Sequence, residues 1–326
     1  MANSNASLSE GVESLESEQS PETTFVALDG RWKFEGAKAT YEGPAPYEGT
    51  GEQQRHDGVC LAATRFHSGV LTVRALIEDP SAAARFVFGF NAATGTYYSV
   101  GINGWFRAYV LSQFTRSSPQ LLRAEGPSSI LMAGQKMMSV TIRGQRVSLC
   151  IDSVCVLEHV LPSPIEGDQV GLYVWGSKTV AFENLIVHAA RRKGFVVMQF
   201  GGQYDVFWKE VIVPVARKAG FEAVRADNIY GPGVILKDII RQIVESDVIM
   251  AEITPTNANV FYELGYAHAL GKPTILLADK AMAKLPFDIS GYRVVYYSDT
   301  IGGKSDIESA LCKHLEAVRL GQTSGS

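Results

Sequence analysis

What the sequence lacks narrows it first. No apolar run reaches the roughly 20 residues that a bilayer-spanning helix needs. The opening stretch MANSNASLSEGVESLESEQS has neither a basic start nor an apolar signal core. These absences predict a cytoplasmic protein with no membrane partner. Positive charge is not in excess either: 30 Lys and Arg stand against 34 Asp and Glu, a formal net charge of −4. The electrostatic footprint for nucleic acid is therefore missing, and no nucleic-acid partner is expected. Four cysteines (Cys60, Cys150, Cys155, Cys312) form no CxxC pair and six histidines are scattered, so no metal site is expected. Cys150 and Cys155 flank a tight turn at Asp152-Ser153, where they could in principle face each other. In a reducing compartment the expectation is two free thiols.

What remains is an ordinary globular composition, 46% hydrophobic and 20% charged over 326 residues. At roughly 150 residues per domain this is enough for two domains with separate cores. Residues 1–23 form a Ser- and Glu-rich segment with Glu10, Glu13, Glu16, Glu18 and Glu22 and no Lys or Arg, which reads as a flexible acidic tail. From 24 to 190 the hydrophobic period is two, as in GVLTVRALIE (69–78), ARFVFGFN (84–91), MMSVTIRG (137–144) and QVGLYVWG (169–176). Turn residues such as Asn103-Gly104 and Asp152-Ser153 punctuate the runs, and the pattern predicts an all-β antiparallel sandwich.

At Arg191-Arg192-Lys193-Gly194 the period changes. Short apolar runs (195–200, 221–227, 247–254, 273–279, 292–297) alternate with amphipathic stretches (204–220, 233–246, 259–271, 304–320). Repeated βα units require right-handed crossovers and a parallel sheet covered on both faces. Residues 194–320 are thus expected to form a flavodoxin-like α/β domain of five parallel strands in the order 2-1-3-4-5. Its crevice should lie at the carboxyl ends of the first and third strands. Residues 321–326 read as a second flexible tail.

The stretch with most chemical content is AEITPTNANVFYELGYAHALGKP (251–273). Thr254 should end the third strand, and Asn259 is a candidate N-cap for the next helix. Glu263 falls one turn inside that helix on the same face, near the positive helix end that would keep it ionised. His268, five residues on, points elsewhere and reads as structural. No GxGxxG follows the first strand, where GGQYD (201–205) stands instead, so a conventional dehydrogenase is not expected.

These residues resemble known families. The 251–273 run and the opening FVVMQFGGQYD segment look like the motif shared by bacterial TIR-like domains and nucleoside 2-deoxyribosyltransferases. In both, a glutamate at the position of Glu263 is the functional carboxylate at an N-glycosidic carbon. In the first half, Gly95-Thr96-Tyr97-Tyr98, Val147-Ser148-Leu149-Cys150-Ile151-Asp152, Gly171-Leu172-Tyr173-Val174-Trp175 and Phe182-Glu183-Asn184-Leu185 resemble the concanavalin A-like jelly roll, in its laminin-G and glycoside-binding branches. The resemblances imply a lectin-like sensing or assembly domain, with a carbohydrate or other ligand on the sandwich, joined to a TIR-like catalytic domain. They imply an NAD+ glycohydrolase that works as a homo-oligomer in antiviral defence. The alternatives are a nucleoside 2-deoxyribosyltransferase or nucleoside/nucleotide N-glycosidase, and a lectin-TIR adaptor that turns nothing over.

Chemistry ranks these readings. Breaking a ribose–base bond builds positive charge on the anomeric carbon, which a nearby carboxylate stabilises or captures. Nicotinamide departs from NAD+ as a neutral molecule and needs no general acid, whereas a neutral base leaves well only when protonated. Glu252 and Asp227, both at strand ends, are the candidates for a second carboxyl group. NAD+ is therefore the expected substrate, with no separate cofactor. Phe200, Gly201, Gly202 and Tyr204 would line its pocket, Phe200 and Tyr204 by stacking on a base. Asp227, Asn228 and Asn259 would contact ribose or phosphate. The competing readings are a plain βα turn for the glycine pair, turn chemistry for Asp227-Asn228, and a capping or salt-bridging glutamate for Glu263. Trp208 is expected in the core, and the Tyr230-Gly231-Pro232-Gly233 loop is a candidate hinge. In the sandwich, Tyr97, Tyr98, Trp105, Tyr109, Tyr173 and Trp175 offer an aromatic sugar platform, with core packing the favoured reading.

Overall fold

A computed structural model describes residues 23–44, 56–116, 118–127, 129–130, 133–228, 235–281, 289 and 291–321. The expected tails, apart from Thr23 and Gly321, and the 230–233 hinge loop lie outside these residues. The first part of the chain forms two seven-stranded antiparallel sheets packed face to face. One sheet runs β1 (Phe25–Asp29), β4 (Asp57–Arg65), β13 (Gln169–Trp175), β6 (Ala83–Asn91), β7 (Thr96–Gly104), β8 (Arg107–Phe114) and β9 (Pro119–Pro127) from edge to edge. The other runs β12 (Val154–Val160), β11 (Arg146–Ile151), β10 (Gly134–Arg143), β5 (Gly69–Ile77), β14 (Val180–Ala189), β3 (Lys38–Gly43) and β2 (Arg31–Glu35).

Period two makes the core. On β5 the residues Leu71, Val73, Ala75 and Ile77 point inward while the intervening ones are half-exposed. Phe86, Phe88, Val100, Ile102 and Leu172 meet them from the facing sheet. The first sheet departs from simple alternation: Ala83 to Gly89 on β6 are buried on both faces. Its outer face carries a second apolar cluster of Val59, Leu61, Val87 and Tyr173, flanked by Phe90, Tyr97 and Phe114. Of the six aromatics weighed as a platform, Tyr98 and Tyr173 are buried, while Trp105 and Trp175 stay 39% and 46% exposed. Cys150 and Cys155 sit opposite each other in the β11–β12 register and form a disulfide, which corrects the expectation of free thiols. The turn at Asp152-Ser153 (φ 48° and 70°) brings the two β-carbons into range.

The second part is a five-stranded parallel sheet in the order β16 (Phe221–Arg225), β15 (Arg192–Val197), β17 (Val248–Glu252), β18 (Thr274–Asp279), β19 (Val294–Tyr297). In chain order this is 2-1-3-4-5. A continuous helical segment follows β15: α1 (Gln203–Phe207), a π-helical turn (Trp208–Ile212) and α2 (Val213–Lys218). It packs with α5 (Ile301–Arg319) on one face of the sheet, against Val196, Met250, Leu277 and Tyr297. The other face, with Phe195, Val197, Ile249 and Ala251, is covered by α3 (Ile235–Glu245) and α4 (Ala258–Ala269).

The two parts meet at the amino ends of the parallel strands. The β10–β11 turn inserts there: Gln145 is fully buried, and its backbone N–H donates to the Val244 carbonyl at 3.0 Å. Its side-chain amide donates to the Leu161 and Leu270 carbonyls at 3.0 and 3.1 Å. Gly144 precedes it with φ 54°, and a β-carbon there would stand 2.5 Å from the Val244 oxygen. Arg146 pairs with Glu245 at 3.2 Å and His67 lies 3.1 Å from Asp247.

Candidate active site at the carboxyl ends of the parallel strands

The opposite end of the sheet, where open α/β sheets hold their ligands, carries the residues singled out in the sequence. Helix α4 begins there. Its N-cap is Asn257 rather than the expected Asn259: the Asn257 side chain accepts the Asn259 N–H at 2.9 Å. An extended backbone at Asn257 (φ −129°, ψ 122°) gives the capping geometry, and it places Asn259 in the first turn, exposed. Val260, Leu264 and Ala267 form the buried stripe of α4. Glu263 lies beside that stripe and is half-buried, and no hydrogen bond or ion pair reaches its carboxylate from the described residues. Burial alone pushes its pKa up to about 7. The expectation that the helix end would hold it ionised is therefore corrected. Desolvation outweighs a dipole that fades within the first turn.

Glu252, the last residue of β17, is 1% exposed. It accepts the Thr254 N–H on both oxygens at 3.2 Å, the Thr254 hydroxyl, and the Tyr297 hydroxyl at 3.3 Å. Burial raises it to about 7 despite these donors, with nearby Asp279 acting in the same direction. The Thr254 hydroxyl also accepts the Asp279 N–H at 2.9 Å, so one small network ties the ends of β17, β18 and β19 together.

At the ends of β15 and β16 the organising residue is Arg225, which the sequence reading did not single out. Its guanidinium is clamped between the rings of Phe200 and Trp208, 5.2 and 5.3 Å from their centroids. It forms a fork on Asp227, with Nε to Oδ1 at 2.8 Å, and pairs with Asp205 at 2.8 Å. Phe200, Gly201, Gly202 and Asp227 are thus brought together, with Asp227 engaged by an arginine. The Arg-x-Asp spacing at a strand end was the available signal. Phe200 keeps one face outward at 51% exposure. Gly201 and Gly202 have φ of 91° and 54°, and a β-carbon at either would meet nothing, so these positions need glycine for conformation and not for room.

Tyr204 does not stand out to stack on a base. It is 7% exposed and belongs to the core between the sheet and α1, because the α1 start turns its ring inward beside Trp208. Its edge helps line a cleft of about 260 Å³ between α1 and the start of α5, with Phe207, Asp279, Tyr297, Thr300 and Lys304 among the other walls. Trp208 is buried, as its apolar spacing implied. His268 stacks on Tyr292 at 4.5 Å and is half-buried on α4, away from the Glu263 position. The Asn228 side chain lies outside the described residues. Among those residues no group of His, Cys, Asp and Glu is arranged to hold a metal ion, and no helix is long and apolar enough to cross a membrane.

No family model matches the sequence, and no curated protein matches it. Among solved structures, the chain is similar to the carbohydrate-binding module CBM66 from Bacillus subtilis (15% identity, 50% of this chain and 94% of that one, TM-score 0.41). It is similar to a Bacillus subtilis protein of unknown function with a galectin-like fold (11% identity, 51% and 88%, TM-score 0.38). A further likeness is to the CMP N-glycosidase BcmB of Clostridium botulinum (21% identity, 37% and 99%, TM-score 0.28).

Proposed function

We propose that the α/β part of this protein cleaves an N-glycosidic bond, with Glu263 as the carboxyl group at the anomeric carbon. The observation that carries this reading is the state of Glu263: half-buried at the crevice end of α4, raised toward neutrality, and with no partner among the described residues. A glutamate serving only as a cap or salt bridge has a donor to satisfy it. One without a donor is set to interact with a developing cation on a sugar ring.

NAD+ is the first substrate of this reading, through the resemblance of the 251–273 motif. Nicotinamide leaves without a proton, so one ionised carboxylate suffices. Phe200, Asp227, Asn228 and Asn259 are the proposed contacts to the rest of the substrate, and the sandwich is the proposed sensing or assembly part of a homo-oligomer. A second reading, a nucleoside or nucleotide substrate, is favoured by one observation. Both Glu263 and Glu252 titrate near 7 and so retain a proton at neutral pH, which a neutral departing base needs.

Incubation of the protein with NAD+, deoxynucleosides and nucleoside monophosphates, with chromatography of the released base, tests both. Release is expected, and Glu263→Gln is expected to lower it by about 100-fold or more. NAD+ alone as substrate supports the first reading, and nucleosides or nucleotides alone support the second. Release that is unchanged by Glu263→Gln, or no release from any substrate at high protein concentration, overturns the assignment and leaves the adaptor reading.

A further inference from the structure

A charged side chain in the sandwich is buried in a way the fold alone does not explain. Arg85, on β6, points to the outer face of the first sheet and is 2% exposed. Its guanidinium lies between the rings of Trp105 and Tyr173, 5.2 Å from each centroid. Nε and Nη2 donate to the Asn103 carbonyl at 3.1 and 2.6 Å, but Nη1 is buried with no acceptor. Among the described residues no carboxylate pairs with it. Asp57, at the same end of the sheet, accepts the Tyr173 hydroxyl at 2.6 Å instead. The β7–β8 turn is left bare to admit the guanidinium, since a β-carbon on Gly104 would stand 1.7 Å from Nη2.

Buried charges in proteins are normally paired, because an isolated one costs several kcal/mol, and an unsatisfied donor in such a place calls for an acceptor. Around this donor the rim is aromatic. Trp105, Phe106 and Trp175 are 39%, 91% and 46% exposed, and all stand at the end of the sheet where Arg85 lies. Single exposed rings are unremarkable in any protein, but here Trp105 lies directly over a buried cation, and Trp175 follows Tyr173 two residues along the same strand, on the same face.

We propose that this end of the sandwich binds a small carboxylate-bearing ring compound, its carboxylate on Arg85 Nη1 and its ring face against Trp105. A guanidinium matches a carboxylate in geometry, and ring faces of sugars or aromatics stack on indole. Trp105, on the exposed hairpin tip, is the member that shifts to admit the ligand. This site is independent of Glu263, and its test does not read turnover.

Calorimetric titration of the full chain, with tryptophan fluorescence in parallel, uses four probes: trigalacturonate, its neutral galactose counterpart, 2-naphthoate and inorganic sulfate. Binding of trigalacturonate or of 2-naphthoate, with the neutral sugar at least tenfold weaker, is expected. Which of the two binds decides between an acidic saccharide and an aromatic acid. Arg85→Gln and Trp105→Ala should each weaken binding tenfold or more, and Arg85→Lys should restore part of it. Should Arg85→Gln not fold, Trp105→Ala, at an exposed turn, decides. Equal binding of the neutral sugar, binding of sulfate alone, binding untouched by Trp105→Ala, or no binding of any probe overturns the proposal and leaves Arg85 as a brace for the hairpin.

Discussion

Glu263 and Glu252 both sit where charge is disfavoured, and the consequences are measurable without knowing the substrate. Each is raised in the folded chain from the usual carboxylate range to about 7. Between those limits the folded state holds more protons than the unfolded one. Stability is therefore full at acid pH near 4 to 5 and is lost as pH rises through 7. Urea unfolding at pH 5 and pH 8 should differ by roughly 2–3 kcal/mol for each such group. Glu252→Gln should flatten that slope. For the proposed N-glycosidic cleavage, the rate of base release carries the complementary signature. Where Glu263 acts as an anion, as with NAD+, the rate rises with pH through a midpoint near 7. Where a proton must be delivered, the rate falls above it.

At the scale of elements, strand ends and turns decide what the chain presents. Arg225 closes β16 onto α1 through Asp205 and Asp227 and between two rings. Arg225→Met removes both ion pairs and the cation held between the two rings, and a lower urea midpoint should follow. Ser153, in contrast, occupies the left-handed region at φ 70° in a two-residue turn. Ser153→Gly should raise stability by about 0.5–1 kcal/mol, seen as a higher melting temperature. The same elements show what was legible in the sequence. Period-two runs disclosed the sandwich, and the βα alternation disclosed the parallel order, because periodicity is set by local burial. The motif singled out Glu263 and its place on α4. The protonation of Glu263 was not legible, since burial depends on residues distant in sequence. Tyr297 and the inward turn of Tyr204 were missed for the same reason, since what they pack against comes from other elements. Arg225 was missed although Asp227 stands two residues away, because Phe200, Asp205 and Trp208 reach it from the segment after β15. The Cys150–Cys155 pairing was set aside on compartment grounds, whereas the register of β11 and β12 places the two thiols opposite each other.

For the whole molecule the contact between the two parts governs behaviour. Gln145 is the one buried side chain described here whose amide bridges carbonyls of both parts, Leu161 and Leu270. Removing it leaves buried carbonyls without donors. Wild-type protein is expected to melt in one calorimetric transition, and Gln145→Ala is expected to split it into two. That junction sits at the pole of the parallel sheet opposite the Glu263 end. A molecule gripped by its sandwich, whether by a ligand or by neighbouring copies, therefore holds the Glu263 end of its parallel sheet outward, like a lamp on a bracket.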